Sequence, residues 1–389
     1  MSASDVFHRA GYARELARQL LRPGPLDVAV RSGVFLSGIR RVGKTTFLRQ
    51  DLAPALEEQG AVVIYVDLWV DRARSPSALV NDAVRDVLAQ LQTPGTHLMK
   101  RFKGLNVGGA GMSFGFQLDT IGTGQTPLAQ VFRELVEQTG RDVVLIVDEI
   151  QQALTSEDGY NLLHALKAAR DAVNARPDAR GHFLLLGTGS HKSLITDMAS
   201  RRAQPFQGAA SSSFIVLGRD FVAWQLDRLA TSGALTLPSL DVAWEGFEAM
   251  GHRPEDLLKA IRQLQGVKGA PDDTFPVICA TLASAAADVE LNAIEELGEL
   301  AAAVFGRIAS GNAEGVKGLF GADAIVQYAS AVGSPVDTPQ VQAIIERMIA
   351  ANLVVRPSHG TYAVADPFVR QVWLDRARLR ELGLPDAPH

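Results

Sequence analysis

Cysteine is almost absent from this chain: Cys279 is the single one among 389 residues. One cysteine excludes an intramolecular disulfide and a cysteine-built zinc site, and it fits a reducing compartment. Long apolar runs are lacking as well. The alanine-rich stretch from Cys279 to Val289 is shorter than the ~20 residues that a membrane helix needs. The first residues show no charged start followed by an apolar segment, so we expect no signal peptide and a cytoplasmic protein.

A strong excess of one charge is also missing. The net charge is −5 with a pI of about 5.9, which argues against a surface built throughout to grip nucleic acid, although a local basic patch stays compatible with it. Hydrophobic residues make up 47% of the sequence, enough to bury substantial cores. The length suffices for about two or three domains.

The most informative segment fits the pattern G-x-x-x-x-G-K-[ST] and reads Gly38-Ile39-Arg40-Arg41-Val42-Gly43-Lys44-Thr45-Thr46. It lies between a short apolar run at 34–36 and a predicted helix, the strand–loop–helix context that this pattern requires. Its backbone N–H groups and the helix N-terminus would cradle phosphates, Lys44 would reach the outer phosphates and the Thr45 hydroxyl would ligate Mg²⁺. The alternative is a glycine turn beside a surface lysine.

A second segment supplies two carboxylates. The unbroken apolar run at 143–147 predicts a strand buried on both faces, and Asp148 and Glu149 follow at its end. Such sheets bind ligands at the carboxyl ends of their strands. We assign Asp148 to the magnesium side, acting through water, and Glu149 to the base that polarises the attacking water. The alternative for both residues is a helix cap.

Two further buried strands are predicted at 61–67 and 182–190. The second ends in hydroxyl side chains, where a nucleotide hydrolase needs a polar group between the carboxylate and the γ-phosphate. Thr188 is the first candidate for this role and Ser190 the second; the alternative is that both are turn residues. Asp67 ends the other strand and is better explained as a cap of the next helix.

These residues together resemble the archaeal-type P-loop ATPase family, an AAA-like relative of the signalling ATPases. The resemblance is carried by residues 40–46, Val147-Asp148-Glu149-Ile150-Gln151 and Gly187-Thr188-Gly189-Ser190, and it extends over roughly the first 220 residues. It implies ATP and Mg²⁺ as ligands, since no N-K-x-D guanine motif is evident. It also implies an α/β fold: a parallel-sheet ATPase core, a helical lid and a C-terminal winged-helix-like domain.

We place the ATPase core at 1–217, the lid at 218–310 and the winged-helix-like domain at 311–389. A glycine-rich insertion at about 100–126 alternates apolar with small or polar residues, which predicts a projecting β-hairpin. Its strands would contain Leu105 and Val107 on one side and residues 112–118 on the other. Its apolar face would pack on its own domain or on a neighbouring protein.

Three arginines are candidates for phosphate contacts outside the loop. Gly251-His252-Arg253-Pro254 resembles the start of a lid helix in AAA-like ATPases, where Arg253 would reach the γ-phosphate. A solvent-facing arginine is the alternative. Arg201 and Arg202 lie about a helix length beyond the second hydroxyl-tipped strand and would act as a finger in a neighbouring subunit or, alternatively, cap a helix C-terminus.

The leading interpretation is an Mg²⁺-dependent ATPase whose nucleotide state controls assembly or partner engagement. Its expected partners are ATP and either further copies of itself or another protein, with no membrane. One alternative is a slowly hydrolysing, nucleotide-gated signalling module. Another is a DNA-associated ATPase of a mobile element or defence system. The predicted recognition helix at 338–350 offers Arg347, balanced by Glu346, among mainly apolar and neutral side chains, so the sequence supports DNA binding weakly.

Overall fold

The computed structural model describes residues 6–71, 73–96, 98, 112–176, 180–190, 192–200, 204–233, 236–312, 315–358 and 360–381. Strands and helices alternate up to residue 213, and helices dominate thereafter. The strands are β1 Val34–Ser37, β2 Val62–Asp67, β3 Val143–Asp148, β4 Phe183–Gly189, β5 Ala210–Ser213, β6 Val354–Ser358 and β7 Thr361–Val364. The helices of the first half are α1 Ala10–Leu21, α2 Lys44–Phe47, α3 Ala53–Glu58, α4 Pro76–Gln92, α5 Leu128–Thr139, α6 Glu157–Asn174 and α7 Lys192–Ser200. Those of the second half are α8 Arg219–Thr231, α9 Leu240–Ala249, α10 Pro254–Leu264, α11 Pro271–Glu296, α12 Glu299–Ser310, α13 Ala322–Val332, α14 Thr338–Ala350 and α15 Pro367–Glu381.

Five strands form one parallel sheet in the order β2-β3-β4-β1-β5. The inserted position of β4, between the P-loop strand β1 and the acidic strand β3, is that of an additional-strand ATPase. The four strands predicted from apolar runs are confirmed. The edge strand β5 was not predicted, because its sequence, Ala-Ser-Ser-Ser, is small and polar and lacks the apolar signal.

Both faces of the sheet are covered, which explains the unbroken apolar runs of its strands. On one face α4, α5 and α6 pack over the sheet, and the rings of Phe132 and Phe183 stack there at 3.9 Å between centroids. On the other face α1 and the helical segment that follows the P-loop bury Leu20 and Leu48 against Ile146. Because the strands are parallel, their carboxyl ends lie at one edge of the sheet, and the polar residues that follow β1, β3 and β4 meet there.

The segment at 112–118 is not a strand, so the predicted hairpin is wrong in this half; its other half, with Leu105 and Val107, lies outside the described residues. The backbone polar groups explain the difference. Met112 N–H donates to the Leu91 carbonyl at 2.9 Å, and Gly115 N–H donates to the Glu134 carboxylate at 2.6 Å. The apolar side chains of this segment nevertheless pack on the first core, as one of the two alternatives expected.

The second half builds its own core from α8 to α15 and the antiparallel hairpin β6–β7. The helix–helix–hairpin–helix order after residue 311 is the one predicted, and its designation as a winged helix stays a prediction. Among the described residues one helix, α11, is long and apolar enough to cross a membrane, which the sequence analysis did not expect. One face of α11, including Phe275, Cys279 and Ile294, is buried in this core.

Candidate functional site

The P-loop joins β1 to α2, and two of its glycines are dictated by geometry. Gly43 has φ = 85°, in the left-handed region that glycine adopts without strain. Gly38 packs so closely that an added Cβ would lie 2.9 Å from the Cβ of Phe214. Backbone conformation therefore favours glycine at position 43, and close packing against Phe214 favours it at position 38.

Lys44 lies inside the loop, where its Nζ donates to the carbonyls of Gly38 at 2.6 Å and Ile39 at 2.7 Å. The side chain is buried. Burial lowers the pKa of Lys44 below its usual value, and the negative charges of Glu149 and Asp148 oppose that shift. The loop thus encloses the ammonium group of Lys44, which is bonded to two of its carbonyl groups.

Asp148 is fully buried at the tip of β3 and accepts hydrogen bonds from three hydroxyl groups. Thr45 Oγ1 donates to its Oδ2 at 2.6 Å and the Tyr65 hydroxyl at 3.1 Å, while Thr188 Oγ1 donates to Oδ1. Hydroxyl and carboxylate oxygens are the ligands that Mg²⁺ prefers. The structure brings these oxygens of Thr45 and Asp148 together, and their role as magnesium ligands stays a prediction.

Glu149 follows Asp148 in a left-handed backbone conformation, φ = 53°. Its Oε2 accepts hydrogen bonds from the Gln151 amide and from Ser190 Oγ, the latter at 3.1 Å. Arg40 Nε in turn donates to Ser190 Oγ at 3.3 Å. The two predicted sensor residues therefore have different partners: Thr188 contacts Asp148, and Ser190 contacts Glu149.

These groups surround a cleft with a volume of about 480 Å³. Its lining consists of Arg40, Arg41, Gly43, Lys44, Thr45, Thr46, Asp67, Trp69, Glu149, Pro254 and Glu255. The structure thus brings Glu149 and most of the predicted P-loop residues to one cleft; Asp148, buried beneath it, reaches this set through its bond to Thr45.

Four residues of the site were not anticipated: Tyr65, Asp67, Trp69 and Gln151. Asp67 does not cap a helix as predicted, because its Oδ1 accepts from the Trp69 N–H at 2.8 Å and Ser75 caps α4. Burial raises the pKa of Asp67, and Asp148 and Glu149 add to the rise. A tyrosine and an aspartate spaced two apart on a buried apolar strand share one face, and that signal could have marked Tyr65 and Asp67.

Arg253 does not line the cleft, and the expectation that it faces the γ-phosphate is corrected. Its Nη2 donates to Asp366 Oδ2 at 3.1 Å, and the two side chains are 7% and 9% exposed. The guanidinium also lies 4.6 Å from the centroid of the Phe368 ring. Its neighbours Pro254 and Glu255 line the cleft instead. Arg201 and Arg202 lie outside the described residues.

Comparison with known proteins agrees with this geometry. Residues 30–194 match the family model of the AAA domain. The fold is similar to that of the Aeropyrum pernix ORC2 protein in its ADP form, with a TM-score of 0.52 and 16% identity over 98% of this chain and 96% of that one. The ADPNP–ADP complexes of the same protein give a TM-score of 0.50 and 16% identity, covering 96% and 95% of the two chains. Among curated protein sequences, none matches this chain.

Together, the sheet order, the P-loop cradle and the family match define the class. Residues 30–194 match the AAA domain, and the chain is an ATPase that binds ATP.

Proposed function

We propose that this protein hydrolyses MgATP in the cleft and that its nucleotide state controls two local contacts of the C-terminal unit, residues 311–381. These are the Arg253–Asp366 pair with the start of the lid helix α10 and the contact of Asn352 with the ATPase core. The C-terminal unit would in this way determine assembly or partner engagement. The observation that carries the proposal is the buried Arg253–Asp366 pair, which ties the lid to this unit directly beside the cleft wall at Pro254 and Glu255.

The hydrolytic part follows from the residues around the cleft. Lys44 and the loop N–H groups would hold the phosphates, while Thr45 and Asp148 would hold Mg²⁺, which offsets phosphate charge. Glu149 would accept a proton from the attacking water, and Thr188 would report the γ-phosphate through its bond to Asp148. Each role is supported by a contact or by a position on the cleft wall.

The control part is supported by the incomplete bonding of the lid arginine. Arg253 Nε is buried and has no hydrogen-bond partner among the described residues, although Nη2 bonds to Asp366. A buried, unsatisfied donor is unfavourable. A second contact joins the C-terminal unit to the ATPase core, where Asn352 Nδ2 donates to the Ser190 carbonyl at 3.4 Å. The docked unit therefore touches the loop that holds the partner of Glu149.

A slowly hydrolysing switch is the second candidate, because the Glu149 carboxylate is already engaged by Gln151 and Ser190. Both donors bond to Oε2, so this oxygen must exchange a partner before it can contact an attacking water. DNA is less favoured as a partner, since the exposed face of α14 presents Arg347 beside Glu346 and two glutamines. One arginine gives little attraction to a phosphate backbone.

The proposal is tested by hydrogen exchange and size measurements on the full chain without nucleotide, with ADP, with ATP and with a slowly hydrolysed ATP analogue, each with and without DNA. We expect ATP to speed amide exchange at the start of α15 and to change the molecular size. Asp366→Asn should loosen α15 without nucleotide, whereas Asp375→Asn, an exposed acid on the same helix, should not. Exchange at α15 that is identical in all nucleotide states would overturn the proposed control.

A further inference from the structure

Arg40 projects from the P-loop into the cleft and is held on two sides. Its guanidinium lies 5.3 Å from the centroid of the Trp69 ring, and its Nε donates to Ser190 Oγ at 3.3 Å. Trp69 follows β2 and Ser190 follows β4, so the arginine bridges the loops after two different strands. A long arginine side chain loses considerable rotamer freedom when it is ordered, and these two contacts supply that order before any ligand arrives.

Arg40 interacts with both groups that are proposed to act on ATP, Glu149 and Lys44. The Ser190 hydroxyl that accepts from Arg40 also donates to Glu149 Oε2 at 3.1 Å, so one oxygen atom separates the guanidinium from the carboxylate. The charge of Arg40 also reaches Lys44, whose pKa it helps to lower, after the larger effect of burial. Arg40 therefore shares the Ser190 hydroxyl with Glu149 and acts electrostatically on Lys44.

Among the described residues, the two terminal nitrogens of Arg40 have no hydrogen-bond partner. Ser190 Oγ accepts a hydrogen bond from Nε, so the two terminal nitrogens of the guanidinium can bind an anion. A planar guanidinium binds two phosphate oxygens at once. Arg40 is exposed in the open cleft, whereas Arg253 is committed to Asp366. Arg40 and Arg41 both line the cleft, whereas Arg253 does not. Arg40 is the one that is bonded to Ser190, the partner of Glu149.

We propose that Arg40 binds the terminal phosphate oxygens of ATP and stabilises the negative charge that develops during hydrolysis, so that this chain supplies its own catalytic arginine. The water oxygen bonds to the terminal phosphorus as the bond from that phosphorus to the bridging oxygen of ADP breaks. The proton of the water passes to Glu149 and then to solvent, and ADP and inorganic phosphate leave. This inference rests on the proposed hydrolysis, but not on the proposed control of the C-terminal unit.

The test compares wild type with Arg40→Ala, Arg40→Lys and Arg228→Ala in the full chain. Arg228 stacks on Trp224 at 5.0 Å in the lid and provides a control of the same chemistry away from the cleft. Under single-turnover conditions with saturating MgATP we expect Arg40→Ala to lose about 10³-fold in rate and Arg40→Lys to recover only part of it, because a lone ammonium lacks the fork. Arg228→Ala should keep the wild-type rate.

A binding measurement separates this role from a structural one. Wild type should bind ADP with aluminium fluoride, a mimic of the transferring phosphate, more tightly than ADP alone. Arg40→Ala should lose that preference while its affinity for ADP stays within about threefold of wild type. Wild-type turnover per chain should also be independent of protein concentration.

Three results would overturn the inference. The first is an Arg40→Ala rate within a few-fold of wild type. The second is turnover restored by mixing Arg40→Ala chains with Glu149→Gln chains, which would place the arginine of one chain in the site of another. The third is a wild-type chain that binds MgATP but turns it over only at concentrations where it assembles. The hydrogen-exchange rates at α15 test the proposed control of the C-terminal unit, and no result there changes the conclusion about Arg40.

Discussion

Asp148 accepts hydrogen bonds from Thr45, Tyr65 and Thr188, which belong to three different elements of the sheet and the P-loop. A carboxylate fixed by three donors keeps one orientation, and outer groups of this kind tune metal affinity. Burial raises the pKa of Tyr65, and the neighbouring Asp148 raises it further. The phenol therefore stays protonated and remains a donor throughout the ordinary pH range.

Tyr65→Phe should raise the Mg²⁺ concentration needed for half-maximal ATP binding by about tenfold, because Asp148 loses one of its orienting donors. Fluorescent-nucleotide titrations at fixed ATP and varied Mg²⁺ measure this directly. Tyr328→Phe is the matched control, since its buried hydroxyl has no hydrogen-bond partner among the described residues. An unchanged Mg²⁺ requirement in Tyr65→Phe would remove the tyrosine from the site.

How far single residues could be predicted depended on the range of their interactions. Lys44, Thr45 and Asp148 follow from local motifs, because a P-loop and a strand tip determine their own geometry. The Arg253–Asp366 pair joins residues 113 positions apart, and no local pattern marks either member as a partner of the other. The assignment of Arg253 to the γ-phosphate was wrong for that reason.

Among the elements, helix α14 carries the most complete local start signal. Asp337 and Gln340 form a reciprocal capping box, with Asp337 Oδ1 accepting from Gln340 N–H and Gln340 Oε1 accepting from Asp337 N–H, both at 2.9 Å. Proline at the second helical position adds a preformed backbone angle. The sequence analysis placed this helix start correctly from Thr338 and Pro339.

Replacing the cap should weaken the C-terminal unit by a predictable amount. Asp337→Ala is expected to lower the free energy of unfolding by about 1 kcal/mol, because the Gln340 N–H at the helix start loses its side-chain acceptor. Urea unfolding followed by circular dichroism measures the change. Gln342→Ala, at an exposed position of the same helix, should have little effect, and an equal loss in both variants would argue against the cap.

The strands β1 to β4 were predictable because burial on both faces leaves unbroken apolar runs. A different pattern, the alternation of apolar with small or polar residues, predicted a strand at 112–118, and this prediction was wrong. There the backbone bonds to α4 and to the Glu134 side chain of α5. Alternation reports only that one side of a segment is buried, and it does not say what satisfies the backbone.

At the scale of the whole molecule, the lid and the C-terminal unit share one continuous core. Phe305 on α12 is fully buried, and its ring meets that of Trp373 on α15 at 5.0 Å between centroids. The domain boundary predicted near residue 310 therefore lies within one hydrophobic core, to which both the lid and the C-terminal unit contribute side chains. These two parts are expected to unfold together.

Phe305→Ala should lower the free energy of unfolding by about 3–5 kcal/mol, through lost burial and the cavity left behind. Trp373 fluorescence and far-ultraviolet circular dichroism should then report coincident transitions for the second core. Val326→Ala, at an exposed position on α13, is the control and should change little. Two well-separated transitions within residues 218–381 would contradict the shared core.

The proposed ATPase mechanism requires Glu149 to drive hydrolysis of an ATP molecule held by the P-loop. The most direct test measures MgATP affinity by calorimetry and phosphate release by the same preparations of wild type, Glu149→Gln and the exposed control Glu157→Gln. We predict that Glu149→Gln keeps the affinity within a few-fold and loses at least about 100-fold in release, while the control matches wild type. Phosphate release by Glu149→Gln at the wild-type rate would contradict the claim.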